Sequence, residues 1–446
     1  MTTAITDNGV PHSYYIWTIG CQMNQADSAR LAGALEQLGL QPAGRMKEAD
    51  VVVLNSCVVR QSAEDKVVGT LGLVKPLKQQ RPDRIVALMG CMVGPRTDEL
   101  QRRFLQVDLF MRPQQYRPLL DLLGGRLGLN WEGCLDTLLP PKPGVICHIP
   151  IIHGCDLMCT FCIIPYRRGR QVSRPIPEVV REVKLLTERG VREVTLLGQT
   201  VDAYGYDLPE RPDLADLFYE LNHLPGLARI RFLTSHPNFM SDRVIQAVAE
   251  LDKVCEHINL PVQAGDDQML EAMRRRYHVD DYRQLVRRIR QAIPQVALST
   301  DIIVGFCGET AEQFQRTVEV LEETRFDKVH LAVYSPRPST FAWRKMEDDV
   351  PQVEKERRLQ TLEQLQERIA AEINQTYLGE TVEVLVDSHH RGKWQGRTRT
   401  DKLLFFEDEH DRLGQLVQVK VTRTSPWALQ GVPADRAAAQ HKQERA

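Results

Sequence analysis

Three cysteines at a CxxxCxxC spacing, Cys155, Cys159 and Cys162, occupy one short loop directly after the apolar run Ile149–Ile152. Three thiolates in one turn can take three corners of an iron–sulfur cube, since such clusters are held by cysteine sulfur. The fourth iron then has no protein ligand and stays open to a small chelating molecule. The spacing therefore points to a reactive cluster rather than a plain electron carrier. A structural zinc site usually wants four protein ligands. Only His153 stands near as a fourth, and it lies on the strand side of the loop. Zinc or a purely structural cluster is the alternative that spacing alone leaves.

The strand before this loop belongs to a longer rhythm. From about 145 to 345, apolar runs (HIPIIHGC, REVTLLGQT, ARIRFLTS, HINLPVQ, ALSTDIIVGF, KVHLAVYS) alternate with helical patterns such as PEVVREVKLLTERG and DDYRQLVRRIRQAI. Six βα units predict a (βα)6 partial or full parallel barrel, an α/β fold whose chemistry collects at the C-terminal ends of the strands. The cysteine loop lies just past the first strand. Polar residues close the others: Gln199, Ser235 with His236, Gln263, Asp301, and Ser335 with Arg337. Each alone reads equally as a loop cap, but together they recur where a barrel mouth is lined.

The same alternation occupies residues 14 to about 130: YYIWTIGC, ADVVVLNSC and RIVALMGC as strands, with SARLAGALEQLG and AEDKVVGTLGLV as helices. It predicts a second, smaller parallel sheet. Cys21, Cys57 and Cys91 each end one of its strands, so parallel pairing would bring all three to the sheet edge where open α/β folds bind ligands. Three converging thiolates there make a second cluster site with an open corner. The alternative is three ordinary cysteines at strand ends. Residues 351–375 read as a charged amphipathic helix. Beyond it ETVEVLVDSH, KWQGRTRT, KLLFFE and QLVQVKVTRTS predict a small all-β barrel.

The boundaries expected from these patterns are 12–130 for the first domain, 131–145 for a proline-containing linker, 146–375 for the barrel, 376–438 for the β-domain and 439–446 for a frayed tail. A net charge of -2 gives no global drive toward nucleic acid, so any such site must be a local patch. Two patches qualify. Arg167, Arg168 and Arg170 adjoin the cysteine loop and can grip phosphates. Arg397 and Arg399, within a basic run that also holds Arg391, Lys393 and Lys402, stand among Trp394, Phe405 and Phe406. Basic residues with aromatics suit a single-stranded RNA surface; a solvated loop over core aromatics is the alternative. The N-terminus shows no basic segment followed by an apolar core, and no apolar stretch approaches the roughly 20 residues of a membrane span. A cytoplasmic protein without membrane association is expected. In that compartment the ten cysteines do not pair as disulfides, and Cys134, Cys147, Cys255 and Cys307 read as small buried hydrophobes.

An open cluster iron at a barrel mouth, with Phe161 before the last cysteine, resembles the radical S-adenosylmethionine superfamily. Within it, TIGCQMNQADS, LNSCVVRQSAEDK, GC at 90–91, GCDLMCTFCIIPYRRGRQVSRP, LPVQAGDDQML and YSPRPST resemble the methylthiotransferase family over residues 14 to about 435. The resemblance implies two 4Fe-4S clusters, one at each cysteine triad, S-adenosyl-L-methionine as cofactor, and a C-terminal TRAM domain. The stretch TDIIVGFCGET matches the segment that passes the adenosine of the cofactor, where Gly305 and Glu309 are the positions to name. One S-adenosylmethionine is implied to supply a methyl group to sulfur at the Cys21/Cys57/Cys91 site. A second, cleaved at the Cys155/Cys159/Cys162 site, is implied to yield the radical that takes hydrogen from the substrate carbon.

The form GCQMNQADS is most similar to the branch acting on the tRNA anticodon loop, at C2 of N(6)-isopentenyladenosine in position 37. A reductant such as flavodoxin or ferredoxin and a monomeric state are expected with it. Two departures stand out: Thr200 where asparagine is usual, and Ala264 where serine is common. The rivals are methylthiolation of a ribosomal-protein aspartate, of threonylcarbamoyl-adenosine in tRNA, and a non-enzymatic iron–sulfur RNA-binding protein, which would not need a polar barrel mouth.

Overall fold

The computed structural model describes residues 10–59, 61–129, 131 and 138–435. Cys134, residues 132–137 of the expected linker and the expected tail lie outside them.

Strands β1 (Ser13–Thr18), β2 (Gln41–Pro42), β3 (Val51–Ser56), β4 (Ile85–Gly90) and β5 (Leu109–Met111) form one sheet in the order β2-β1-β3-β4-β5. Every pairing is parallel. Central β3 and β4 are buried along their whole length, as a sheet covered on both faces requires. Odd residues Val51 and Val53 pack under the helices Gln22–Gln37 and Arg117–Leu127, and even residues Val52 and Leu54 under Gln61–Gln80. Register places Thr18 opposite Asn55, and Ser56 opposite Gly90. The three following cysteines therefore leave the sheet at the same edge.

The second unit begins with β6 (Ile146–Pro150) and a two-residue antiparallel pair, β7 (Ile152–His153) with β8 (Val172–Ser173). Its further strands are β9 (Glu193–Leu197), β10 (Arg229–Leu233), β11 (His257–Asn259), β12 (Ala297–Val304) and β13 (Lys328–Val333). Parallel pairing runs β6-β9-β10 and β11-β12-β13. The halves are stitched by the parallel bridge Ile230–Val254 and by Ser235 N–H to the Asn259 carbonyl at 3.1 Å. The result is a six-stranded partial barrel wrapped in helices around one large apolar core.

The C-terminal unit is a closed barrel, β14 (Thr381–His390), β15 (Lys393–Thr398), β16 (Leu403–Phe406), β18 (Leu429–Pro433) and β17 (Leu416–Thr424) in spatial order. Strand β18 is the one the sequence reading passed over. The C-terminal unit docks across the N-terminal ends of the partial barrel's strands, opposite the cysteine loop. Arg229 and Arg231, at the start of β10, are almost wholly buried there. Arg229 donates to the Arg397 carbonyl (2.6 Å) and Glu383 (2.8 Å), and Arg231 to the Thr398 carbonyl (2.6 Å) and Glu193 (2.9 Å).

Removing one member of a buried charge network leaves its partner uncompensated, at a cost of about 3–5 kcal/mol. R231A should lose that much stability in chemical denaturation and open the chain to proteolysis between the helix Gln352–Gln375 and β14. An unfolding curve like the parent's would contradict this anchoring role.

Candidate active site between two sheet edges

Each triad is built by its local sequence. Cys21 is the N-cap residue of the 16-residue helix Gln22–Gln37. Asn24 in that helix donates to the carbonyls of Ile19 and Ser56, both at 2.9 Å, tying the Cys21 turn to the residue before Cys57. Ser56 in turn donates to the Met89 carbonyl (2.6 Å) and accepts Met92 N–H (3.2 Å), and its carbonyl accepts Cys91 N–H at 3.0 Å. Gly90 sits at φ +102°, and a Cβ there would lie 2.4 Å from the Ser56 carbonyl oxygen. Cys57 and Cys91 are buried and Cys21 exposed. Burial, with the neighbouring Cys57 and Cys21, pushes the Cys91 thiol up to about 11.

At the barrel mouth Gly154, at φ +68°, lets the chain pass within a Cβ's reach of the Arg170 carbonyl. Cys155 and Cys162 are half-buried and Cys159 buried. Burial raises the Cys162 thiol to about 12, with Cys159 and Cys155 adding to it. Thr200 Oγ1 lies 3.5 Å from Cys155 Sγ, so the residue that departs from the usual asparagine still places a polar group on the thiol. Arg275, wholly inside the barrel, donates Nη1–H to Cys159 Sγ at 3.6 Å and Nη2–H to the Pro261 carbonyl at 2.9 Å. The sequence reading missed Arg275, because its MRRRYH setting looks like a solvated basic run.

The other expected mouth residues divide. Phe161 packs edge-on against Phe306, with ring centroids 6.3 Å apart. Ser235 Oγ and His236 Nε2 are buried without a partner. Gln263 is held at φ +75° and Thr234 at +70°, backbone strain that concentrates at functional sites. Asp301 accepts from Asn259 Nδ2 at 3.5 Å, and Gln199 is half-buried past the end of β9. Gly305 and Glu309 both make contacts with the helix Gln352–Gln375. Glu309 is buried, accepting Gly305 N–H at 2.6 Å and an Arg358 ion pair at 2.7 Å. A Cβ on Gly305 would meet Lys355 Cγ at 2.3 Å, so this glycine serves the close approach of the helix Gln352–Gln375.

Three basic residues are also reassigned. Arg168 is buried against Asp27 at 3.2 Å, each side chain 1% exposed, so phosphate cannot reach it. Arg399 grips Glu256 at 2.7 Å and the carbonyls of Asp252 and Val254, as an interdomain clamp. Arg397 pairs with Asp401 beside that clamp, and Trp394 and Phe406 belong to the β-barrel core. Arg170 is exposed but paired with Asp156 at 2.6 Å. Arg167 lies against Gly94 with its Nε buried and unpartnered.

The two triads face each other. Arg168, six residues after Cys162, reaches Asn24 and Asp27 of the first sheet; Arg337, after β13, reaches Gln61 at 3.1 Å beside Cys57. Leu197 and Leu233 at the mouth pack on Met23 and Ala26. Among the described residues no three His, Cys, Asp or Glu side chains gather closely enough for a single metal ion. Two thiol triads with glycine cradles and buried, unpartnered donors beside them suit larger, sulfur-rich groups. Loading either would release thiol protons, as metal binding to buried cysteine must.

This fold and mouth define a radical S-adenosylmethionine protein. Residues 149–321 match the model described as the Radical SAM superfamily, 13–112 that of Uncharacterized protein family UPF0004, and 375–434 that of the TRAM domain. A radical S-adenosylmethionine methyltransferase, TsrM, from Kitasatospora setae is similar in fold, with TM-score 0.56 at 13% identity over 86% of this chain and 80% of that one. Among curated proteins, the tRNA-2-methylthio-N(6)-dimethylallyladenosine synthases of Roseiflexus sp. and Herpetosiphon aurantiacus are 51% and 49% identical over 94% of this chain, and over 89% and 96% of their own lengths. The chain belongs to the tRNA-2-methylthio-N(6)-dimethylallyladenosine synthase family.

Because Gly90 admits no Cβ, G90A should cost about 1–3 kcal/mol of stability, the usual scale of local backbone strain. Denaturant unfolding of the metal-free protein measures it, and a neutral result would show that the strand ends can yield.

Proposed function

We propose that this chain methylthiolates C2 of N(6)-isopentenyladenosine at position 37 of tRNA, with hydrogen removal and sulfur delivery assigned to two facing sites. The observation that carries this reading is the docking of the Cys21/Cys57/Cys91 edge onto the barrel mouth that holds Cys155, Cys159 and Cys162. Bound at these triads, two 4Fe-4S clusters supply the electron that cleaves S-adenosylmethionine and the sulfur that is transferred. The chain's residues do the rest. Cys155, Cys159 and Cys162 leave one corner for the cofactor, and Ser235 and His236 offer it buried polar atoms. Thr200 and Arg275 fix two of the thiols. The apolar contacts of Leu197 and Leu233 with Met23 and Ala26 exclude water between the sites. A base splayed from the anticodon loop, the form in which proteins commonly read loop nucleotides, fits a mouth closed on both sides.

RNA contact is assigned to the mouth rim rather than to Arg397 and Arg399. Arg274 stacks on Phe341 at 3.9 Å, exposed Met158 lies within the cysteine loop, and exposed Trp343 stands in the helix that hydrogen-bonds that loop at Thr160. A flavodoxin or ferredoxin as electron donor, a monomeric state and a cytoplasmic location complete the reading; no helix among the described residues is long and apolar enough to cross a membrane.

Anaerobically reconstituted protein should bind about eight irons, and C21A about four. Four irons in the parent, unchanged by C21A, would contradict two clusters. In tRNA from a deletion strain, mass spectrometry should show isopentenyladenosine without its methylthio group. Loss of methylthio from a ribosomal protein instead would assign the substrate elsewhere.

A further inference from the structure

Arg168 is placed as no phosphate-gripping residue would be. It leaves the barrel's own cysteine loop, crosses the domain boundary and ends beside the other triad. Its Nη2 donates to Asn24 Oδ1 at 2.9 Å and Asp27 Oδ2 at 3.2 Å. Its Nε and Nη1 are buried without a nitrogen or oxygen acceptor, and the guanidinium reaches the Cys91 thiol, a weak acceptor. The groups beside the guanidinium are the thiols of Cys91 and Cys21. A buried N–H donor left unsatisfied is costly, and native proteins seldom leave one so. Two on one guanidinium mark a missing acceptor. A single carboxylate and an amide oxygen cannot use a planar five-donor fork. Sulfur in a cluster held by Cys21, Cys57 and Cys91 would be anionic, would lie on that side, and accepts such bonds.

Resting on the two-cluster reading above, we propose that Arg168 is a positioning residue of the sulfur-delivering site: its Nε–H and Nη1–H are directed at the sulfurs held by Cys21, Cys57 and Cys91, and raise that group's reduction potential. Hydrogen bonds to sulfur are among the levers that set cluster potentials, and groups outside the ligand set tune a metal site in the same way. The donor comes from the opposite domain, so the sulfur site is complete only when the two domains are docked.

The test uses full-length protein carrying C155A, C159A and C162A, reconstituted anaerobically, so that the remaining iron reports the first triad alone. That parent should hold about four irons; none at all would refute the second cluster itself, a distinct failure. D27N/R168M removes both buried charges together and so avoids an orphaned carboxylate. In a redox titration followed by electron paramagnetic resonance, its reduced-to-oxidised ratio at the parent's midpoint should fall about tenfold, which is 59 mV for a one-electron couple. R168K, keeping the charge but not the fork, should shift the same way by less. Full iron loading of D27N/R168M with the parent's potential overturns the proposal. Should that variant not load, R168K is read by the same criterion, and the parent's potential in it overturns the proposal.

Discussion

The buried pair of Arg168 with Asp27 fixes how two separate parallel sheets meet. Each sheet alone offers a row of strand ends and three thiols. Neither row makes a reaction chamber, because an open sheet edge faces water on one side. The pair is dry on both sides, with each side chain 1% exposed. Asn24 extends it into the turns that carry Cys21 and Cys57, so the position of one triad is tied to the loop that carries the other. Ion pairs this deep add little net stability over apolar packing. Their geometry is specific, and a chemistry that hands one atom to another across a domain boundary needs that specificity.

The TRAM domain sits at the far end of the barrel, anchored by Arg229, Arg231 and Arg399. A substrate loop entering the mouth cannot also cover that docked face.

Much of this was legible in sequence because hydrophobic period and strand-end cysteines are local signals. The alternation around YYIWTIGC, VVVLNSC and RIVALMGC predicts strands, and parallel pairing then converges Cys21, Cys57 and Cys91 without further information. What sequence could not reveal is where long basic side chains end. Arg168 and Arg399 lie in basic runs that resemble RNA contacts, yet each crosses to another domain, where Arg168 is buried and Arg399 half-buried. The surroundings of Glu309 were hidden for the same reason: its partner Arg358 is 49 residues away on the long helix. Strand β18 escaped notice because Gly431 and Pro433 weaken a five-residue pattern, and its parallel pairing to β16 is long-range.

The central claim is that hydrogen removal and sulfur delivery belong to different triads. It is tested most directly with an anticodon stem-loop RNA bearing deuterium at C2 of its isopentenyladenosine. In reconstituted C21A protein, mass spectrometry should find deuterium carried into 5′-deoxyadenosine while no methylthio product forms. Methylthio product from C21A, or loss of deuterium transfer in protein whose Cys155, Cys159 and Cys162 site is fully loaded with iron, would contradict that division.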